Sequence, residues 1–529
     1  MKILVSDPLS AAGIQVLEKA GCDVLQLTEG GRDAWSSILP EIDAWIIRSG
    51  TRVTAEDLEL AKGLKAIGRA GVGIDNVDLK AATLHGVVVM NTPGGNTVSA
   101  AEHTIALLTA LARNVHLGDH SLKQGRWDRK KLVGTELSGK TMGIIGLGRI
   151  GQEVARRAQG LQMKVIGFDP FLDANKVGIP DISFVSFARL LETADIVSLH
   201  LPRTADTIDL IAQSELKQMK SSAFLINCAR GGIVNEADLA AALANKQIAG
   251  AAIDVYSTEP PPEDHPLLGA PNILLTPHLG ASTREAGETV ARQVAHQIVD
   301  YLKEGILSNA VNLPIADMKI LKQIEEELAL AEQLGWIQHH LNPGAIGTFQ
   351  VTFTGKGDHL RPLVFSALKG LLNPRMDLEV NFINAGTIAE SRGIHVKSVH
   401  DPEYSHIQNV VSIRAGSESQ PELEIAGYVD RQQGMRLFRV NQYHLDVLLD
   451  GDLLLLTNRD VPGVVGEVGT ALAAAGVNIA EYALSRDAGA GTALSIIKCD
   501  GSPGEGLLAK LSGIPAVERS YFIPRFKGN

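Results

Sequence analysis

The sequence predicts an α/β chain with a doubly wound parallel sheet, a second α/β unit beside it, and smaller α+β modules towards its C-terminal end. Short apolar runs alternate with helical patterns from Ile3-Leu4-Val5 to about residue 282, as expected for strands joined by crossover helices. A glycine loop, Gly146-Leu147-Gly148-Arg149-Ile150-Gly151, runs straight from one such strand into a helix. After Asn312-Leu313-Pro314 the regular alternation stops and period-two strand patterns take over.

Composition bounds the problem. A chain of 529 residues exceeds one ordinary domain core. Hydrophobic residues at 45% with charged residues at 21% describe a folded globular chain, its core filled by aliphatic residues because aromatics make up only 4%. The net charge of -11 speaks against nucleic acid as the partner. An anionic ligand would then need a local basic pocket. Cys22, Cys228 and Cys499 show no CxxC spacing, so neither a disulfide framework nor a metal cluster is expected. His116 and His120, four residues apart, lack the further ligand a zinc site needs. No apolar run approaches about 20 residues, and Ser6-Asp7-Pro8 halts the first one early, so no membrane span or signal segment is expected. These features together point to the cytoplasm.

In order, the first block carries strands at Ile3-Leu4-Val5, Ala44-Trp45-Ile46-Ile47, 66–68 and Val87-Val88-Val89-Met90. The second has strand runs at 142–145, 164–168, 196–199, 223–226 and 250–253, a spacing that predicts the doubly wound sheet. Beyond residue 318, Phe349-Gln350-Val351-Thr352-Phe353 and residues 423–427 read as strands, and 363–372 as a helix. From Leu453 a βαββαβ module follows. Its first helix carries Val464, Val468, Leu472 and Ala475 on one face and ends at Gly476, the residue type best suited to a left-handed C′ position.

The glycine loop has the context of a Rossmann dinucleotide fingerprint. Gly146 makes the tight turn, Gly148 lets backbone approach a pyrophosphate, and Gly151 lets helix and strand pack closely. Arg149 and Ile150 open the helix, whose free amides and dipole favour an anion. Asp169, 18 residues after Gly151, stands where a carboxylate holds ribose hydroxyls, which favours NAD over NADP. The run Gly71-Val72-Gly73-Ile74-Asp75-Asn76 lacks a third glycine and is not the cofactor loop.

Hydride transfer also needs a cation for the substrate carboxylate, a base for the hydroxyl proton, and a group that tunes the base. Arg230 follows a strand and lies at its C-terminal end, where open α/β sheets bind ligands. Glu259 and His278, beyond the next strand, form a candidate acid-base pair in which the carboxylate fixes the imidazole tautomer.

The motifs Arg230-Gly231-Gly232-Ile233-Val234, Asp254-Val255-Tyr256 with Glu259-Pro260, and Pro277-His278-Leu279-Gly280 resemble those of the D-2-hydroxyacid dehydrogenases. Residues 69–78 and Gly134-Thr135-Glu136-Leu137 add to a likeness that spans nearly the whole chain and fits the long, regulated members of that family. The resemblance implies a catalytic triad of Arg230, Glu259 and His278. It places Cys228, Ala229, Asp254 and Gly280 around the nicotinamide end of NAD. It implies a flavodoxin-like substrate domain formed by residues 1–98 and 283–315, an NAD domain at 99–282, an intervening domain at 316–452 and a ferredoxin-like ACT domain at 453–529. As substrate it implies 3-phosphoglycerate, bound by Arg48, Ser49, Arg69, Asn96 and Thr97, with Arg129 reaching across from a neighbouring subunit of a homodimer or homotetramer. In the ACT-like module, Asn458, Asp460 and Asn478 match positions that bind L-serine in such enzymes, although Asn458 stands where histidine or tyrosine is usual. Lys369, Arg375 and Arg439 are basic candidates in the intervening domain. Two other readings stay open on sequence: a hydroxypyruvate or glyoxylate reductase, and an NAD-sensing interaction protein of the same fold.

Overall fold

A computed structural model describes residues 1–172, 180–313, 321, 323–376, 379–404, 406–417, 420–501 and 506–526. The expected boundary at residues 315 and 316 lies outside them. The first sheet holds β1 (Lys2–Val5), β2 (Asp23–Gln26), β3 (Ala44–Ile47), β4 (Ala66–Arg69) and β5 (Val88–Asn91), all parallel, in the order β2-β1-β3-β4-β5. Helix Arg284–Glu304 returns to this sheet, and its Val290, Val294, Ala295 and Ile298 share one core with Ile3, Val5, Val88 and Met90. The chain thus leaves this layer after β5 and comes back almost 200 residues later.

The second sheet holds β6 (Thr141–Ile145), β7 (Lys164–Phe168), β8 (Ile182–Phe184), β9 (Ile196–Leu199), β10 (Phe224–Asn227), β11 (Gly250–Ile253) and β12 (Ile273–Leu275). All are parallel, in the order β12-β11-β10-β9-β6-β7-β8. The order reverses between β6 and β9, which opens a crevice at the carboxyl ends of those strands. Helices cover both faces, so central strands such as β9 and β11 are buried throughout, as their unbroken apolar runs require.

Sequence reading placed the strands at 87–90 and 223–226 one residue too early and missed β2, β8 and β12. β2 is a half-exposed edge strand with Asp23 and Gln26 at its ends, and β8 and β12 have three residues each. None offers a long apolar run.

The third sheet, read as two strands, has six: β13 (Thr348–Phe353), β14 (His395–His400), β15 (Val411–Ser417), β16 (Gln420–Asp430), β17 (Gly434–Val440) and β18 (Tyr443–Leu448). Helices Glu325–Leu341 and Leu360–Leu372 cover it, the first of them unread in sequence because its buried face includes Gln333, Gly335 and Gln338. The last sheet comprises β19 (Asp452–Arg459), β20 (Asn478–Asp487), β21 (Thr492–Asp500) and β22 (Val517–Ile523), antiparallel in the order β20-β21-β19-β22. With helices Val464–Ala474 and Leu507–Ser512 it forms the expected βαββαβ module, and Gly476 has φ +70° as its C′ position demands. Leu454 and Leu456 face the module's own helices, whereas Leu453 and Leu455 enter the core of the preceding domain. Two buried faces explain the solid run of four leucines.

Among the described residues no helix is long and apolar enough to cross a membrane.

Candidate active site

The glycine loop leaves β6 and enters helix Arg149–Gly160, capped by the backbone of Gly148 with no side-chain cap. Gly146 has φ +92°, and a Cβ there would lie 2.4 Å from the His200 carbonyl. A Cβ on Gly151 would lie 2.0 Å from the carbonyl of Gly146, so only glycine lets the helix pack this closely on the strand. Gly148 faces open space, which leaves its backbone approachable. Val154 and Ala158 are buried and Ile150 packs beside them, while the Arg149 guanidinium lies beside Gly94. Asp169 follows β7 directly. Its Oδ2 accepts from the amide of Leu147 at 2.9 Å and its Oδ1 from that of Phe171 at 2.9 Å. The carboxylate therefore sits on the rim of the loop, as an NAD ribose requires, and the residues present fit the dinucleotide. Gly151→Ala is expected to weaken NADH binding about tenfold or more in a fluorescence titration, the effect of forcing one methyl into a packed contact.

A cleft of about 620 Å³ is walled by both parallel-sheet units. From the first come Arg48 and Ser49 after β3, Arg69 at the end of β4, and the turn Gly71 to Asn76. From the second come Arg230, Glu259 and His278, with Asn96 at the start of the connecting helix Thr97–Ala112. The Asn227 side chain shapes the turn after β10, accepting from the Ala229 amide at 3.0 Å and donating to the Arg230 carbonyl at 2.9 Å. Arg230 Nε donates to Asp75 Oδ2 at 3.1 Å across the cleft.

His278 Nδ1 and Glu259 Oε2 are 2.7 Å apart. Since a carboxylate only accepts, Nδ1 carries the proton and Nε2 is left with its lone pair in the neutral ring. Burial pushes the Glu259 carboxyl up, but its bonds to His278 and the Tyr256 amide outweigh this and hold it below the ordinary range. The pair therefore presents an accepting nitrogen with a fixed tautomer whenever the ring is neutral.

The cations are crowded. Burial, then the charges of Arg230 and Arg48, bring Arg69 down to about 10. Arg69 Nε and Asn96 Oδ1 are both buried without a hydrogen-bond partner. Such groups call for an anion and a donor from a ligand.

Asp254 is wholly buried behind this wall. Its carboxylate accepts from the amides of Leu279 and Gly280 at 2.7 and 2.8 Å, which ties Gly280 into the His278 turn. Cys228 lies beside it, its thiol pushed up to about 12 by burial and the Asp254 charge, and so is wall and not nucleophile.

One expected substrate residue, Thr97, is not in the cleft, and Arg129, expected to reach a neighbour's site, does not line that of its own chain. Thr97 lies one step past Asn96 at the start of a helix, which turns it through about 100°; it lines a separate depression with Arg149. Arg129 lies on an exposed segment away from the cleft of its own chain, near Trp127, which is 81% exposed. The three effector candidates are also not united. Asn458 opposes Ala493 near one end of the last sheet, with Asp460 beyond it paired to Arg486, whereas Asn478 opposes Asp500 at the other end and bonds to it at 2.6 Å. Lys369, Arg375 and Arg439 are each engaged within the fold, with Glu332, with the carbonyls after helix Glu325–Leu341, and with Glu424. Among the described residues no cluster could hold a metal ion.

Sequence reading missed Asp75, His103 and Arg203. Arg203 follows β9 and lines the cleft. Asp75 stood in a quoted motif, yet its partner Arg230 lies 155 residues away and only the fold joins them.

Residues 105–280 match the family described as D-isomer specific 2-hydroxyacid dehydrogenase, NAD binding domain, and residues 323–441 match the D-3-phosphoglycerate dehydrogenase intervening domain. The chain is 38% identical over 527 residues to D-3-phosphoglycerate dehydrogenase of Archaeoglobus fulgidus, covering 99% of this chain and 100% of that one. It is 35% identical to the Bacillus subtilis enzyme of the same name, with 98% of each chain covered. A solved NAD-dependent formate dehydrogenase from Staphylococcus aureus, in complex with NAD, superposes with a TM-score of 0.54 at 33% identity, over 58% of this chain and 98% of that one. The chain is an NAD-dependent dehydrogenase that belongs to the D-3-phosphoglycerate dehydrogenases, within the D-isomer specific 2-hydroxyacid dehydrogenase family.

Proposed function

We propose that the chain oxidises the C2 hydroxyl of 3-phospho-D-glycerate to the ketone of 3-phosphohydroxypyruvate, the first step of L-serine biosynthesis. The observation that carries this reading is the meeting of a Glu259–His278 pair with Arg48, Arg69 and Arg230 in one cleft. Arg230 clamps the substrate carboxylate and orients C2. His278 Nε2 takes the hydroxyl proton as the C2 hydrogen departs with its electron pair, and Glu259 stabilises the resulting imidazolium. NAD, when bound, supplies the acceptor for that hydride. Arg48, Arg69, Ser49 and Asn96 receive the phosphate end, where a dianion needs more than one cation. Steady-state NADH formation at 340 nm with 3-phosphoglycerate tests the reading; no NADH above a substrate-free control would reject it.

The division into residues 1–98 with 283–315, 99–282, 316–452 and 453–529 fits the four sheets. Leu122, Trp127 and Val133, which are 60%, 81% and 80% exposed, make an apolar surface suited to a second copy of the chain. That contact would carry Arg129 towards a neighbour's site and make the enzyme a homo-oligomer. Cys22, Cys228 and Cys499 are all free thiols, which suits a reducing cytoplasm. The last module serves as an ACT domain. Because Asn458 and Asp460 are far from Asn478 within one chain, a serine site must be shared by two chains. Millimolar L-serine is expected to slow the enzyme and Asn478→Ala to abolish the effect; rates unchanged across a serine titration of the wild type would reject this role.

A further inference from the structure

We propose that His103 is the positioning residue of the base, acting through Asp254 on the turn that carries His278. The inference rests on the reading of His278 as base.

His278 adopts φ +54°, a left-handed conformation unusual for a side chain with a Cβ. Something must hold it there. Its amide donates to the Asp254 carbonyl at 2.8 Å, and the next two amides, of Leu279 and Gly280, donate to the Asp254 carboxylate at 2.7 and 2.8 Å. Thr276 Oγ1 adds a fourth bond at 2.6 Å. One aspartate thus pins residues 276, 278, 279 and 280, on both sides of the base and at the base itself. The three bonds to the carboxylate are strong only while it is ionised, and Asp254 has no exposure to water. A buried carboxylate without a cation is costly.

The side chain that faces it is His103. Its Nε2 lies 3.1 Å from Asp254 Oδ1 and 3.3 Å from Thr276 Oγ1, and its side chain is 17% exposed. Around Asp254 the other titratable groups are Cys228 after β10, Tyr256 and Glu259 on the loop after β11, and His278 on the turn itself. Three of these are neutral or negative, and His278 is engaged with Glu259. Among the described residues no lysine or arginine pairs with Asp254. Burial pushes the Asp254 carboxyl up, and the bonds from His103, Thr276 and Leu279 reverse this and hold it below the ordinary range.

The placement of His103 adds a second consequence. It lies in the second turn of helix Thr97–Ala112, whose Ser99 Oγ meets Thr283 Oγ1 at 2.7 Å. The two crossings between the cleft walls therefore touch one another one helical turn from the residue that sets the base.

The test is the pH dependence of kcat for His103→Leu and His103→Gln in the full-length enzyme. His103→Leu is expected to lower kcat about a hundredfold near neutral pH, with KM for 3-phosphoglycerate and NAD within about twofold because no ligand-binding group is removed. Without the contact from His103 the Asp254 carboxyl titrates higher, so the acid limb moves up and the deficit shrinks as pH rises from about 6 to about 9. His103→Gln keeps a weaker donor and should recover much of the rate, with the acid limb still displaced. A kcat within twofold of wild type, or a deficit constant across pH, overturns the proposal. Should the leucine variant not fold, an unmoved acid limb in the glutamine variant overturns it alone. His278→Gln, run in parallel, separates the two failures: full activity there would sink the base assignment on which the inference rests, whereas an inactive His278→Gln beside an unaffected His103→Leu would overturn the role of His103 alone.

Discussion

Replacing His278 by glutamine is expected to lower kcat by about a thousandfold, within the range that positioned acid-base groups contribute, while NADH binding stays within about twofold of wild type. Glutamine preserves size and a donor that can face Glu259 but offers no lone pair of suitable basicity to the hydroxyl proton. The expected loss is large because the other groups in the cleft cannot stand in. Glu259 is tied to His278 and the Tyr256 amide, and Arg69, brought down only to about 10, remains charged at neutral pH. The measurement is NADH formation at saturating substrate, with affinity followed by fluorescence. A loss below tenfold would show that the proton leaves by another route.

The second large effect concerns charge. Arg69→Ala is expected to lower kcat/KM for 3-phosphoglycerate about a hundredfold, as loss of a desolvated charge-assisted contact does, and to change the rate on glycerate far less. Arg69 is well buried between Arg48 and Arg230, with an Nε that has no partner in the protein. Its guanidinium is held against two like charges with only Asp75 and Asp7 to offset them. That repulsion is relieved by a dianionic phosphate and hardly by a neutral hydroxymethyl group. Equal losses on both substrates would remove Arg69 from phosphate recognition.

Much of the cofactor site was legible in the sequence because its chemistry is local. Gly146, Gly148 and Gly151 lie within six residues, and the strand before and helix after them have plain periodicity. Asp169 follows at fixed distance because one helix and one strand separate the two. The Glu259–His278 pair was legible from its residue types and motifs, although β12, the strand that leads to His278, was not read. What was not legible is held together by tertiary structure. The Arg230–Asp75 bond spans 155 residues, and His103 meets Asp254 across 151 positions from a helix whose other buried residues are small or aliphatic. Nothing in the neighbourhood of His103 in sequence separates it from the remaining histidines. Thr97 was misplaced because adjacency in sequence becomes a turn of the helix axis. The six-stranded sheet was largely unread because its strands β14 and β18 carry polar residues at many positions, and β14 is exposed throughout.

The most direct test compares 3-phosphoglycerate, glycerate and lactate as substrates for NAD reduction under one set of conditions. Arg48, Arg69, Arg203 and Arg230 in a single cleft require kcat/KM for 3-phosphoglycerate to exceed the other two by about a hundredfold or more. Comparable values for glycerate or lactate would contradict the assignment of the cleft to a phosphorylated hydroxy acid.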